Sequence, residues 1–404
     1  MYIVLDNLIH HFNLNFILSP IHIVLLFHIS LKCRIGGDTS VVRDINAQGA
    51  NNISKIELAK GLNAIRGIVP DEAYGRIKRS LVPKEASEAV EKAIRGLSEE
   101  DDFALLCRLM GTATHLVGLE QRPLIPGDAI APDFLARFQP GCSIEGREKT
   151  KSSGFKCLVE VKSTTKLRYK ISGSLLARRR KFAATFDLPL LFAVRFLSFG
   201  NNAYWVIIHD ADWQRQSLTV EVNEIFSGVR HVLWDEYWYM LQPGLYFECV
   251  FDKEHQESGV CHPEYGSQAE FRIIDRQRVI PLTGDTAAFY SAFFVPYDLK
   301  EIRARQNGTE IVQTLVPQLS QCSIIDLVYN INRLPRDAKG RTVYDATKIV
   351  ARSDTDIAKY LITRDTVEKA SRLLQQAGLL HLIGIGEPGT HLKQWVQYGG
   401  ILET

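Results

Sequence analysis

The sequence predicts a mixed α/β protein. A sheet flanked by helices comes first, an aromatic-rich α/β stretch follows, and a small helix-and-hairpin unit ends the chain. Three observations lead there. From Ser54 to about Leu97, Ala, Leu and Ile recur at three- and four-residue spacing with charges between them, which is a helical period. Between Ala129 and His209, four short apolar runs follow one another with one helical stretch among them. From Tyr344 onward, three helical segments lead into two strand-like runs around a turn.

Residues 1–40 differ in composition from the rest. Ile17 to Leu31 is apolar but carries Pro20, His22 and His28, and no Lys or Arg precedes Lys32. A secretory signal opens on positive charge and a span needs about 20 apolar residues, so no membrane partner is expected. The segment reads as peripheral or as an over-long translated start. The helical region 41–97 breaks at Ile68-Val69-Pro70-Asp71. A helix over Glu99 to Met110 is closed by Gly111. Strands are then expected at Ala129 to Phe138, Cys157 to Ser163, Leu190 to Phe196 and Tyr204 to His209, with a helix from Ser172 to Phe186. Together these make a core over 98–215.

Residues 216–335 are rich in Trp, Tyr and Phe, which read as core. Within them, Leu299 to Leu334 reads as helical. A polar connector, Pro335 to Arg341, leads to the last unit, 342–404. Its helices are expected at Asp345 to Ala351, at Asp354 to Leu361, and from the N-cap Thr363 to Ala377, where Gly378 follows. Leu379 to Ile385 and His391 to Tyr398 read as strands. Gly384-Ile385-Gly386-Glu387-Pro388-Gly389 has the spacing of a phosphate-binding loop, but it lies between two strands and opens no helix, so no nucleotide cofactor is expected.

Composition excludes several classes. With 404 residues, 46% hydrophobic and 23% charged, the chain is neither disordered throughout nor fibrous. Its seven cysteines are an odd number, widely spread and without a CxxC pair, so neither a disulfide framework nor a zinc ribbon is indicated and a reducing cytoplasm is expected. His255, Cys261 and His262, with Cys249 nearby, match the spacing of no common metal site. The net charge of +2 alone speaks against a histone-like nucleic-acid binder. That total conceals a local field. Arg147 to Lys181 holds twelve basic residues against two acidic ones, and the rest of the chain is −8. Such a window attracts a phosphate backbone and releases its counterions.

The same window holds a candidate site. Along Cys157-Leu158-Val159-Glu160-Val161-Lys162, side chains alternate between faces, so Glu160 and Lys162 point the same way. Upstream, Asp133 follows Pro132 in the preceding strand. If the two strands pair as a hairpin, Asp133 approaches Glu160, and the two make a hard-oxygen pair of the kind Mg²⁺ prefers. Phosphodiester hydrolysis needs such a cation to offset charge and a group to orient or deprotonate water.

Pro132-Asp133 followed by Glu160-Val161-Lys162 resembles the signature of the PD-(D/E)XK nucleases. With an acidic helix before it and a helix-strand unit after it, the stretch from Glu99 to Asp212 looks like archaeal Holliday-junction resolvases and restriction-endonuclease-like domains. The resemblance implies a restriction-endonuclease-like mixed sheet flanked by helices. It also implies Asp133 and Glu160 as metal ligands, Lys162 as the catalytic lysine, and Mg²⁺ as cofactor with Mn²⁺ as substitute. Many members add a glutamate on the first core helix. Of the run Glu99 to Asp102, Glu100 is favoured because it shares a helix face with Phe103, Ala104 and Cys107.

DNA is the expected partner. Lys166, Arg168, Lys170, Arg178, Arg179 and Lys181 are the residues expected to meet phosphates, with Lys181 placed to reach the site. The C-terminal unit looks like a winged helix-turn-helix whose third helix turns Arg364, Lys369, Arg372 and Gln375 outward. Many such nucleases form a homodimer to cut both strands, although no exposed apolar stripe in the sequence marks an interface. The function expected is a metal-dependent DNA endonuclease, of restriction or structure-specific type. The alternative is a non-catalytic DNA-binding regulator or assembly subunit on the same fold.

Overall fold

A computed structural model of the chain describes residues 55–120, 128–139, 155–199, 204–210, 217–225, 229–254, 260–276, 278–334, 344–351 and 361–385. The expectations for residues 1–40, for the helix over 354–361, for the strand His391 to Tyr398, and for Arg147, Lys149 and Lys151 lie outside the described residues. The chain divides between Glu236 and Tyr237 into two units.

In the first unit, α1 (Lys55–Ile68) and α2 (Asp71–Leu81) meet at the break anticipated around Pro70. The next helix, α3 (Ser87–Met110), starts at Ser87 rather than Glu99, because Val90 and Ile94 extend its buried stripe against Ala59 and Leu62 of α1. Gly111 ends it with φ 69°, a left-handed conformation that glycine adopts without Cβ strain.

There follow β1 (Ala113–Gly118), β2 (Phe134–Phe138), β3 (Phe155–Thr164), β4 (Arg168–Ile171), α4 (Gly173–Thr185), β5 (Leu190–Phe196), β6 (Trp205–His209), β7 (Leu218–Glu221) and the short α5 (Arg230–Leu233). The order in the main sheet is β1-β2-β3-β5-β6. β3 and β5 run parallel, joined through α4, and every other neighbour is antiparallel. β4 and β7 form a separate ribbon. β2 begins at Phe134, later than the expected Ala129; Pro132 has no N–H to give a ladder. β1 escapes a reading by hydrophobic alternation because its side chains are mostly exposed.

Alternation along the strands builds two buried faces. On one, the Phe103 ring of α3 lies 5.6 Å from Trp205, 6.0 Å from Phe134 and 5.9 Å from Trp234. On the other, Leu158, Phe192 and Val194 pack with Leu176 and Ala183 of α4 and with Ile171 and Val220 of the ribbon. Buried on both sides, β5 reads as one continuous apolar run, as parallel neighbours do.

The second unit holds β8 (Tyr237–Leu241), β9 (Tyr246–Asp252), β10 (Cys261–His262), β11 (Gly266–Ile274), β12 (Val279–Thr283), α6 (Gly284–Phe294), β13 (Leu299–Asn307), β14 (Glu310–Pro317), β15 (Gln321–Ser323) and α7 (Ile324–Arg333). An antiparallel sheet runs β10-β11-β9-β14-β13, with β12 also on β11. The aromatics are core, as expected: Phe247 stacks 5.6 Å from Phe271 and lies 4.4 Å from Phe294. The helix expected from Leu299 is corrected. Residues 299–317 form a hairpin in which Asn307 pairs with Glu310 across Gly308, at φ 64°, and helix begins only at Ile324. Asn307-Gly308 carries the turn signal that the helical reading overlooked.

The C-terminal stretch supplies α8 (Ala346–Ala351), α9 (Arg364–Gln376) and β16 (Leu380–Ile385). Tyr344 to Ala351 belongs with the first unit, whereas α9 and β16 belong with the second. There β16 pairs antiparallel with β8 in the sheet β15-β8-β16. Arg364, expected to face outward, is buried: it bonds Glu368 at 2.6 Å and lies 5.2 Å over the Tyr237 ring. Tyr237 donates to the same carboxylate at 2.7 Å. A buried Glu368 draws its counter-charge inward, because an uncompensated buried charge is costly. Lys369 stays exposed, paired with Asp365 at 2.6 Å, and Arg372 is half-buried.

Among the described residues, no helix is long and apolar enough to cross a membrane. Cys107, Cys157, Cys249, Cys261 and Cys322 are free thiols.

Truncating Phe103 tests the two-faced core of the first unit. Phe103→Ala should lower stability by about 3–5 kcal/mol, the usual cost of removing a buried aromatic ring. In urea unfolding the midpoint should fall with an unchanged slope; a loss under ~1 kcal/mol would contradict the packing.

Candidate metal and phosphate site

The antiparallel register pairs Phe134 with Val159, which carries Asp133 to the level of Glu160 at the mouth of the hairpin. Asp133 lies outside the β2–β3 pairing, although its carbonyl accepts the Leu119 N–H at 2.9 Å. Its Oδ2 instead accepts the Val161 N–H at 2.7 Å, replacing the missing ladder bond and locking the carboxylate against β3. On β3, Glu160 and Lys162 project onto the face covered by α4. Lys162 Nζ lies 2.6 Å from Glu160 Oε1 and 3.5 Å from Asp133 Oδ2, and donates to the Val161 carbonyl at 2.8 Å. The three residues expected from the sequence therefore meet around one ammonium.

Glu160 is fully buried, so its charge needs partners from within the protein. Lys162 is one. The second is Arg179, which was expected to face DNA and is only 3% exposed. Its Nη2 donates to Glu160 Oε1 at 2.8 Å, and its Nη1 to the Ala131 carbonyl. The correction follows from helix geometry: Leu176, Arg179 and Ala183 share the face of α4 that packs on the sheet. Read at that period, the run Arg178 to Lys181 singles out Arg179 from its neighbours.

The other basic residues lie at the surface. Lys181 was expected to reach the site but bonds Asp128 at 2.9 Å, and Arg178 donates to the Asp128 carbonyl at 3.1 Å. Arg180 forks onto Asp210. Lys166, Arg168 and Lys170 are exposed along the turn after β3 and on β4, with Arg168 2.8 Å from Glu221.

Glu100 joins the cluster from α3. Burial pushes its carboxyl up to about 8, and the nearby Asp133 and Glu160 charges add to that against the pull of Lys162. Glu160 is raised for the same reasons, burial first and Asp133 next, opposed by Lys162 and Arg179. Burial works against the Lys162 ammonium, but Asp133 and Glu160 outweigh it and hold its pKa above the ordinary lysine range. Asp133 and Glu160 balance Lys162 and Arg179 in charge, and Glu100 is the fifth group, left to carry a proton.

The other acids of the run Glu99 to Asp102 each find another partner. Glu99 and Asp102 bind Arg195, Asp101 accepts from Asn63 at 3.0 Å, and Tyr344 donates to Asp102 at 2.7 Å. Sequence reasoning missed Arg195 and Tyr344, which come from distant segments. Tyr169 on β4 was missed as well. Its phenol is raised chiefly by burial, and it senses Lys162, Glu160 and Asp133, which places it beside the cluster.

The donor set fits a hard divalent cation. Glu160 Oε2 is buried with no hydrogen-bond partner among the described residues, so one carboxylate oxygen lacks a counterpart. No three His, Cys, Asp or Glu side chains among the described residues close around one point. An ion such as Mg²⁺ takes one or two carboxylates and fills the rest of its shell with water and phosphate oxygens.

Fold and site together define a mixed α/β protein with a buried carboxylate–ammonium cluster against its central sheet. Hjc of Archaeoglobus fulgidus, a Holliday junction resolvase, is similar to part of the chain at 17% identity with a TM-score of 0.24, the match covering 33% of this chain and 93% of that chain. No family model and no curated protein matches the sequence.

The shifted Glu100 predicts a pH dependence in the metal-free protein. Folded, this carboxyl keeps its proton to about pH 8, whereas its ordinary value is 4.5, so the native state binds more protons across that window. Stability should therefore fall as pH rises through it. The urea midpoint should decline from pH 5 to pH 8, and Glu100→Gln should flatten the decline without abolishing it, since Glu160 remains. An equal slope in the variant would contradict the assignment.

Proposed function

We propose that this protein is a metal-dependent DNA endonuclease. One observation carries the reading: Asp133 and Glu160, from neighbouring strands, meet the Lys162 ammonium at 3.5 and 2.6 Å. Supporting it, the sheet is mixed, with β3 paired antiparallel to β2 and parallel to β5 across the intervening α4.

Asp133 and Glu160 would hold the cation, which when bound offsets charge on the phosphate and acidifies a water molecule. Lys162 orients the attacking water and balances the charge that develops as its oxygen bonds to phosphorus. The P–O3′ bond breaks, leaving a 5′ phosphate. Asp133 is held for this work by the Val161 N–H, and Glu160 by Arg179. Exposed Lys166 and Lys170 draw the backbone toward the site.

A second reading has its own support. Lys162 and Arg179 already neutralise Asp133 and Glu160 without a cation, which also suits a DNA-binding regulator or assembly subunit on a nuclease-like fold.

Purified protein should nick plasmid with Mg²⁺ or Mn²⁺, and Asp133→Ala or Lys162→Ala should lower the rate by roughly 10²–10³-fold, the usual loss on removing one charge-stabilising group. Equal rates in wild type and variants would sink the nuclease reading; metal-independent binding without cleavage of duplex, junction, flap and single strand would favour the second. Replacing Lys166 and Lys170 by Ala should reduce the salt slope of binding by roughly 2, about one unit for each phosphate that is no longer neutralised, and an unchanged slope would remove both from the interface.

A further inference from the structure

Strand β4 carries an apolar row on one face. Ile171, Tyr169 and Leu167 alternate with the exposed Arg168 and Lys170. Burial falls steadily along the row: Ile171 is 2% exposed in the core, Tyr169 is half-buried against that core, and Leu167 is 59% exposed. The row thus runs from the core out to solvent, on the strand that follows Glu160 and Lys162 of β3 after the short turn 165–167.

Leu167 is an exposed leucine on a turn that is held from several sides. The Lys166 N–H donates to Thr164 Oγ1 at 3.0 Å, Ser198 Oγ donates to the Thr165 carbonyl at 3.1 Å, and the Val222 N–H donates to the Leu167 carbonyl at 3.2 Å. Lys166 and Arg168 flank it, both exposed. A cavity of about 480 Å³, lined by Lys166, Leu167, Arg168, Glu221, Val222 and Asn223, opens beside it. It is an open groove at the surface, of a size to lie alongside one displaced nucleotide without enclosing it.

Proteins that kink DNA insert apolar side chains, leucine among them, between base steps, and a neighbouring cation such as Lys166 attracts the flanking phosphate. Resting on the nuclease reading, we propose that Leu167 is a wedge that enters the base stack beside the scissile phosphate. The substrate class is then DNA with an opened step at the cut, such as a duplex with one unpaired nucleotide, in preference to continuous duplex. Leu167 separates the bases, Tyr169 supports the leucine from behind, and the displaced nucleotide turns toward the basic-rimmed cavity.

The test uses the full chain and Ca²⁺, so that binding is read without cleavage. The probes are a duplex with a one-nucleotide bulge, carrying 2-aminopurine next to the bulge, and a fully paired duplex of the same sequence. Wild type should bind the bulged probe roughly ten-fold more tightly, on the order of what one base stacked on protein supplies, and should raise its 2-aminopurine fluorescence at saturation. Leu167→Ala, at a solvent-exposed position that the fold does not need, should lose that rise and that preference while keeping its affinity for the paired duplex. Leu167→Phe should restore both.

An undiminished rise with Leu167→Ala, or wild-type binding with neither preference nor rise, would overturn the wedge while leaving the nuclease reading standing. Plasmid cleavage that fails alongside an intact 2-aminopurine response would overturn catalysis and keep the wedge. Absence of DNA binding by the wild type would overturn both.

Discussion

A carboxylate with no access to water sits in the central strand of the first unit, and much of the surrounding architecture answers to it. Glu160 is fully buried, and an isolated charge there would be strongly disfavoured. The fold brings two cations to one of its oxygens, Lys162 from the same strand and Arg179 from the crossover helix, and leaves the other oxygen without a hydrogen-bond partner among the described residues. That asymmetry is the chemical character of the site. The cations make Glu160 tolerable to the fold, and the unsatisfied oxygen keeps it useful to a ligand. The parallel pairing of β3 with β5 belongs to the same arrangement, since the crossover helix α4 between them carries Arg179 to Glu160.

The second constraint is the single turn of α3 that carries four consecutive acids. A helix sends successive side chains about 100° apart, so of four neighbours the first and last share a side and the two between turn elsewhere. Glu99 and Asp102 converge on Arg195, Asp101 turns to Asn63, and Glu100 alone faces the cluster. Tyr344 closes the arrangement by bonding Asp102 from a segment far along the chain, and Arg66 and Asp345 add an ion pair at 3.0 Å. The helix that delivers Glu100 is thereby tied to both the sheet and the returning C-terminal segment.

Legibility followed the range of the interactions. The core strands, the break at Pro70, the helix stop at Gly111 and the helix from Gly173 to Thr185 all rest on local periodicity and local backbone chemistry, and they were readable from the chain. So were Asp133, Glu160 and Lys162, since strand alternation and a hairpin suffice to bring them together. The hairpin over 299–317 was misread because the apolar positions of two exposed strands fit a helical spacing as well as an extended one. The C-terminal segment was legible only in its local elements. Its local pattern of helices and a strand was sound, but β16 finds its partner in β8 and Tyr344 finds its partner in Asp102, and neither pairing leaves a mark on the neighbouring sequence.

Short-range chemistry therefore determined which residues of this protein hold charge and on which strand or helix they stand. A signed total of +2 with a strongly basic window, an acid–x–lysine strand and a Pro-Asp before its partner are properties of sequence order alone. Tertiary structure decided which of those charges face water. Four basic residues in a row on one helix look alike along the chain, yet packing buries Arg179 against Glu160 and leaves Arg178 and Lys181 at the surface. The physical reason is that burial is set by what packs across the helix: a buried carboxylate opposite one position of α4 claims that guanidinium, and the other cations are left to whatever approaches from solution.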